Sequence, residues 1–405
     1  MKQVLTHVAN AIGMTCRFAL LWVLACSPAS SEPSSGSPSA SRTAAEPRVS
    51  TPTAVDSAGM VDVCGAKVAT DVTELTCVGT ALANVAKLTE LTDLSLAYTQ
   101  VVSAELAHLE QLTHLRSLAI YGTPLDDAGM VHIGKLTTLE ILNLSDTRVT
   151  DAGLAHLSAL TMLEELGAAC PQVTDIAVVG RLVRLKRLDL RDTQLNDESL
   201  AHLATLTELE ELSLFDTPII GTGLAHIVGL THLRNLGLRR TQVTDAGLVH
   251  VAQMTTLNTL DLNHTPITDV GLQHLGVLSE MTHLQLLDTE ITDAGLVHVG
   301  KMKGLIALSL NLTEVTDAGM VHVAQLPELE VLGLWQTQVS DAGMKHLARL
   351  PALSVLDISE TKVTDGGLAH LAKMRSLREL NLKGTQVSGI AANRLRSELA
   401  ARREQ

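Results

Sequence analysis

The sequence predicts an α/β solenoid, a stack of short strand-and-helix units that share one continuous core. Three observations predict it. The chain repeats itself every 24 residues over most of its length, and self-similarity at such a period marks stacked supersecondary units. Each unit contains a Leu-x-Leu segment alternating at period two, which sends leucines one way and variable residues the other, as in a half-buried strand. Each strand is followed by Thr-Asp-x-Gly-Leu, where Thr or Asp can accept from the free amides of a first helical turn. Leucines at helical spacing come next, as at Leu154 and Leu157.

The unit reads Leu-x-x-Leu-x-Leu-x-x-Thr-x-Val-Thr-Asp-Ala-Gly-Leu-x-His-Leu. Its first Thr stands at Thr99, Thr123 and Thr147, then from Thr193 to Thr385 in steps of 24, with Pro171 in the one missing place. That makes thirteen units, preceded by a shorter one that ends at Thr80. Aromatic residues are 1% of the chain, so leucine fills the interior that Phe, Tyr and Trp usually fill. One unit cannot fold alone. Its roughly seven buried aliphatics contribute about 1.5–3 kcal/mol each, against about 1.5 kcal/mol of ordering for each of some 24 residues. Stacking is therefore obligatory, and strands about 4.8 Å apart give a sheet of roughly 60 Å. The array is expected over 81–388. Its ends need caps: residues 59–80 supply the first, with the degenerate repeat, and 389–405 the second, with Leu395 and Leu399 on one helical side.

On this motif the chain resembles the leucine-rich-repeat family over about residues 72 to 388, and Val-Thr-Asp-Ala-Gly-Leu is similar to its cysteine-containing, ribonuclease-inhibitor-like branch. The resemblance implies a right-handed horseshoe with an inner parallel β-sheet and short outer helices. The Thr column takes the place where many such repeats carry Asn, and its hydroxyl can donate to a turn carbonyl and accept from an amide. One unit departs from the pattern. Pro171 and Thr193 are 22 residues apart, and Ile176-Ala177-Val178-Val179 replaces Ala-Gly-Leu-x-His. Drift in a tolerant array and a hinge between two sub-arcs are the two readings.

Ahead of the array, Arg17 precedes the apolar run from Phe18 to Ala25, too short to span a bilayer, so residues 1–25 read as a signal peptide with Met1 or Met14 as its start. Val23-Leu24-Ala25-Cys26-Ser27 resembles the bacterial lipobox, which makes Cys26 the lipidation candidate and the membrane a partner only through that lipid. Residues 26–58, rich in Ser, Pro and Ala, bury too little to offset ordering and read as a disordered tether. The predicted location is the bacterial envelope, outer membrane or cell surface. Of the other cysteines, Cys16 lies in the signal and Cys170 at a strand end. Cys64 and Cys77 flank the first exposed edge, where an oxidising compartment permits a disulfide, the alternative being two buried thiols.

Net charge is −14, with 44 acidic and 30 basic residues, which argues against nucleic acid as a partner. The chain carries no Gly-rich phosphate loop, HExxH or CxxC, and no segment outside the repeats large enough for a catalytic domain, so no enzyme activity and no cofactor are expected. Eleven of the sixteen histidines, from His108 to His370, form a column on the helix side. Helices about 8–10 Å apart hold them too far apart for a shared metal with bonds of about 2 Å. Each is expected to bond a backbone carbonyl or the Asp of a neighbouring turn, such as Asp151, Asp245 or Asp293.

Function is then sought on the sheet face. The repeat region contains only Tyr98, Tyr121, Phe215 and Trp335 as aromatics, and all fall one or two positions before the Thr column. Exposed aromatics and arginines are the types enriched at binding hot spots. Arg191, Phe215 and Arg239 follow one another in one column with Arg187 and Arg240 beside them, flanked by Asp189, Asp192, Asp216 and Asp261. The expectation is a protein-binding face. The rival readings are a solvated face with internal ion pairs, or a structural scaffold that binds glycan or its own copies. Asn143, Asn263 and Asn311 begin glycosylation sequons, discounted in a bacterial lipoprotein.

Overall fold

The computed structural model describes residues 60–64, 66–77 and 82–403; the expected signal, tether, Cys16, Cys26 and Thr80 lie outside them. Fourteen three-residue strands, from Glu74–Thr76 to Glu379–Asn381, form one parallel sheet in strict sequence order. The register steps by one repeat at each strand, so Leu212, Leu236, Leu260 and Leu284 stand side by side. This is an α/β repeat solenoid. The helix side changes character along the chain. Units after Thr241 carry α-helical turns such as Asp245–Val251, Asp269–Leu275 and Asp293–Val299, whereas Val179–Arg181, Asp197–Thr205 and Thr222–Ile227 are 3-10 helices.

A single hydrophobic cluster runs from Val63 to Leu399, two to three leucines per strand meeting the leucines and valines of the helices. At its start an antiparallel hairpin, Met60–Val63 with Ala66–Ala69, lies before the first sheet strand. A disulfide joins Cys64 to Cys77 with Cα atoms 5.3 Å apart. At its end the helix Gly389–Arg403 buries Ala392, Leu395 and Leu399.

Three kinds of hydrogen bond lock the array beyond the strands, the first within each unit and the other two between neighbours. The first is the Thr column. Its hydroxyls donate to the carbonyl three residues back, as from Thr147 to Leu144 at 2.7 Å and Thr241 to Leu238 at 2.6 Å, which closes the turn after each strand inside the core. The expected acceptance from an amide is seen at Thr123, from Leu125 at 3.4 Å.

The second lies at the residue just before the Thr. It adopts the left-handed conformation in Tyr98, Asp146, Asp192, Asp216, Arg240, His264, Asp288, Leu312, Gln336 and Glu360, and in Gly122 and Gly384. That turn aims its N–H at the next unit's carbonyl, as from Asp216 to Arg239 at 3.0 Å. The conformation costs a non-glycine residue about 1 kcal/mol, and Asp tolerates it better than most. Gln336→Gly, at an exposed position, is expected to stabilise the protein by up to about 1 kcal/mol, read as a higher urea midpoint; an unchanged or lower midpoint contradicts it.

The third tie was hidden in the Thr-Asp dipeptide. Asp127, Asp151, Asp245, Asp269, Asp293, Asp317, Asp341 and Asp365 each accept both the N–H and the hydroxyl of the Thr or Ser one unit on, as Asp269 does from Thr292 at 2.9 and 2.6 Å. The Thr also caps its own helix in the expected way, as Thr292 does through the Ala294 N–H.

Candidate functional site

The solvent face of the sheet is a grid whose rows are strands and whose columns are repeat positions. Flanking the central leucine, one column runs Glu165, Arg187, Glu211, Asn235, Thr259, His283, and the other Gly167, Asp189, Ser213, Gly237, Asp261, Gln285. The residues two before the Thr form the third.

The structure places the eight candidate residues in three separate groups. Tyr98 is 73% exposed and meets Tyr121 edge-on, with ring centroids 5.1 Å apart at 84°. Arg187, Arg191, Phe215, Arg239 and Arg240 occupy three consecutive units in the middle, and Trp335, half-buried, stands four units further on. At about 4.8 Å per strand these groups are more than 10 Å apart, so they are not one pocket.

None of the four aromatics is buried, and two of the rings rest against glycines of the next unit. Phe215 lies over Gly237 of the next strand, where an added Cβ would collide with the ring, and Tyr98 lies likewise over Gly122. The absent glycine side chains make the space, so Phe215 rests partly on the sheet, while Tyr98 stays exposed with one ring edge against Gly122. The arginines are also mostly answered. Arg187 pairs with Glu165, Arg191 with Asp189 at 2.9 Å, and Arg240 with Asp216 at 3.8 Å. Among the described residues Arg239 alone of these four makes no ion pair within bonding distance, and its charge opposes the rise of the Asp261 carboxyl.

Sequence reasoning missed a buried polar row beside this patch. Asp261, Asn263, His283 and Gln285 are all under a tenth exposed. Asp261 accepts the Asn263 N–H at 2.9 Å; the Asn263 side chain accepts from Leu287 N–H at 2.7 Å and donates to Gln285 at 2.5 Å. Burial pushes the Asp261 carboxyl up to about 6, only partly offset by Asn263 and Arg239, and pushes the His283 imidazole down to about 4. Burial likewise raises Asp189, with Arg191 opposing, and raises Asp192, helped by Asp216. The sequence showed these residues in variable columns but not that their neighbours cover them. Asn263 and Asn311 are also under a tenth exposed with their amides engaged, a physical reason to discount those two sequons. At the rim, His264, Pro266, Asp288, Glu290, Leu312 and Glu314 line an open cavity of about 460 Å³, with His264 Nδ1 2.8 Å from Asp288.

The histidine column departs from expectation. Asp151, Asp245 and Asp293 are occupied by Thr174, Thr268 and Thr316, because a threonine one unit on offers a carboxylate two bonds at once. The column histidines stand half-buried or exposed on the helix side; His132 bonds Glu110 at 2.6 Å and His202 lies 3.6 Å from Asp175.

A family model described as Leucine Rich repeat matches residues 135–158 and 253–276, two units whose sheet strands and helix turns are those just described. Those two matches each cover one 24-residue period of this chain. Among solved structures it is similar to an internalin from Listeria monocytogenes, 25% identical over 78% of this chain and 90% of that one, with a TM-score of 0.63. A leucine-rich-repeat protein of Leptospira interrogans aligns over 80% and 91% at 18% identity and TM-score 0.60. The leucine-rich-repeat ectodomain of an Arabidopsis thaliana receptor kinase, solved with CASPARIAN STRIP INTEGRITY FACTOR 2, aligns over 80% and 46% at 18% and 0.51. No curated protein matches the sequence.

Proposed function

We propose that this leucine-rich-repeat chain is a non-catalytic receptor of the bacterial envelope, exported by residues 1–25, held by lipid on Cys26, and bound to a protein partner through the solvent face of its sheet. Its repeats are read as the ribonuclease-inhibitor-like type, from Val-Thr-Asp-Ala-Gly-Leu. The observation that carries the reading is the placement of every aromatic of the array on one face, with Phe215 among arginines of which one has no ion pair, in a protein that is otherwise acidic. A rigid sheet presenting such residues loses little entropy on binding. The Arabidopsis ectodomain of the same fold was solved holding another molecule, and both bacterial neighbours share the architecture over four-fifths of this chain or nearly so.

The test is cross-linking on intact cells followed by mass spectrometry. A single defined protein is expected. Replacing Arg191, Phe215 and Arg239 together is expected to weaken its capture at least about tenfold while leaving the melting temperature unchanged. Capture that survives the triple replacement overturns the assignment of this patch. The pairing of Arg187, Arg191 and Arg240 with their own carboxylates favours a second reading, a scaffold whose face is internally satisfied; recovery of peptidoglycan or of the protein itself would select it.

A further inference from the structure

We infer that the array contains one electrostatic seam, between the strands Glu165–Gly167 and Arg187–Asp189, where ion pairs stand in for the neutral ties that lock the other repeats. The cause is Pro171. Elsewhere the Thr hydroxyl satisfies the carbonyl at the end of each strand, but proline brings neither hydroxyl nor N–H. The Cys170 N–H turns back to Ala168 at 2.8 Å instead, Cys170 leaves the left-handed column, and the bond that would cross to Arg191 is not made. On the helix side the same junction loses its Asp staple. Asp175 spends its carboxylate on the Ala177 N–H at 2.9 Å, and Asn196, where other units have Thr, caps Ser199. Among the described residues this is the one junction of the thirteen units that lacks both ties.

What crosses it instead is charge. Arg187 pairs with Glu165, Lys186 with Glu164 at 2.8 Å, and Arg184 with Glu164 at 3.2 Å. Three Lys or Arg cations thus span one junction, where Arg116 with Glu140 is a single pair across its own and Glu110 takes Lys135 and His132 across another. The strand ladder persists there, as do single bonds from Gln194 to Val173 and Thr205 to Gly180. The cations and their carboxylates remain a third or more exposed on average, so dissolved salt reaches and screens them. By contrast Asp245 to Ser388 is laced by six staples in succession, made of uncharged donors on carboxylates. Two stiff blocks joined at a salt-sensitive junction follow, and Lys186, Arg184 and the two glutamates acquire a purpose that a binding patch does not give them.

Hydrogen exchange of the full chain, followed by mass spectrometry, tests this without any partner. From about 0.01 M to about 1 M sodium chloride the screening length falls from about 30 to about 3 Å. Amides of residues 165–197 are expected to gain roughly tenfold in exchange rate relative to those of 245–388 in the same molecule. Glu164→Gln with Glu165→Gln is expected to show the fast rates already at low salt and to lose the salt dependence. Asn196→Thr, which gives Asp175 the partner that Thr174 gives Asp151, is expected to slow exchange across the junction at both salt levels. A ratio that salt leaves unchanged overturns the seam, and so does a double glutamine variant that keeps the salt response of the parent.

Discussion

Asp261→Asn is expected to stabilise the array by about 3 kcal/mol at about pH 7.5 and to leave it unchanged near pH 4. The carboxyl is 8% exposed, and its folded pKa is raised to about 6 from an ordinary 3.8. A raised carboxyl means that the folded chain holds a proton which the unfolded chain gives up near 3.8. Its stabilising contribution is therefore present below 3.8 and is lost as pH rises through about 6. The size follows from the rise itself: each tenfold gain in proton affinity corresponds to about 1.36 kcal/mol, and the carboxyl gains roughly two of them. Asparagine keeps an oxygen for the Asn263 N–H and removes the charge that burial penalises. His283, one strand away, has the opposite sign: held neutral with a pKa lowered to about 4 from 6.5, it contributes fully above 6.5 and loses that contribution as pH falls toward 4. The two slopes oppose each other between pH 4 and 6, and the asparagine variant unmasks the histidine limb. Urea unfolding of both proteins across this range checks it; parallel stability curves would refute the buried-charge account.

Much of this fold was legible because its information is periodic. Leucine spacing alone named the strands, the core and the two-sided units, since a 24-residue period admits no other way to bury so many leucines without aromatics. What stayed hidden are contacts between units, whose partners lie about one repeat apart in sequence and so have no local signature. Thr292 and Asp293 read as a helix cap, and only stacking shows that the threonine belongs also to Asp269. The column histidines were assigned a backbone carbonyl or an aspartate, the latter for want of knowing that threonine had taken Asp151, Asp245 and Asp293. On the sheet face the residues themselves could be read but their posture could not: Phe215 leans over Gly237, an offset of 22 that no pattern rule reads, and three of the four arginines are answered by neighbours. Pro171 was visible as a break, but its effect runs through the backbone of Cys170, which no sequence pattern reveals.

The glycine of Ala-Gly-Leu yields the other large effect. Gly295→Ala is expected to cost about 2–4 kcal/mol, summing an overpacked methyl at about 1–3 with about 1 for a disturbed hydrogen bond. A Cβ there would intrude on Asp269 Oδ1 and come within 2.9 Å of Leu272 Cδ1. Asp269 cannot swing away cheaply, because both of its oxygens are held by Thr292, and moving it strands a backbone N–H at 2.9 Å. The same conflict recurs where Gly153 meets Asp127, Gly271 meets Asp245 and Gly343 meets Asp317. The motif therefore spells glycine in order to seat the preceding unit's aspartate, while this glycine's own backbone stays helical and would tolerate alanine. Gly276→Ala separates the two explanations. It has helical φ of −60° and nothing nearer than 3.4 Å, so alanine should be neutral or stabilise by up to about 1 kcal/mol. If urea unfolding shows the two alanine variants equally stable, the staple does not set the glycine; if Gly295→Ala costs much less in the Asp269→Ala background than in the parent, it does, because the smaller side chain vacates the space the methyl needs.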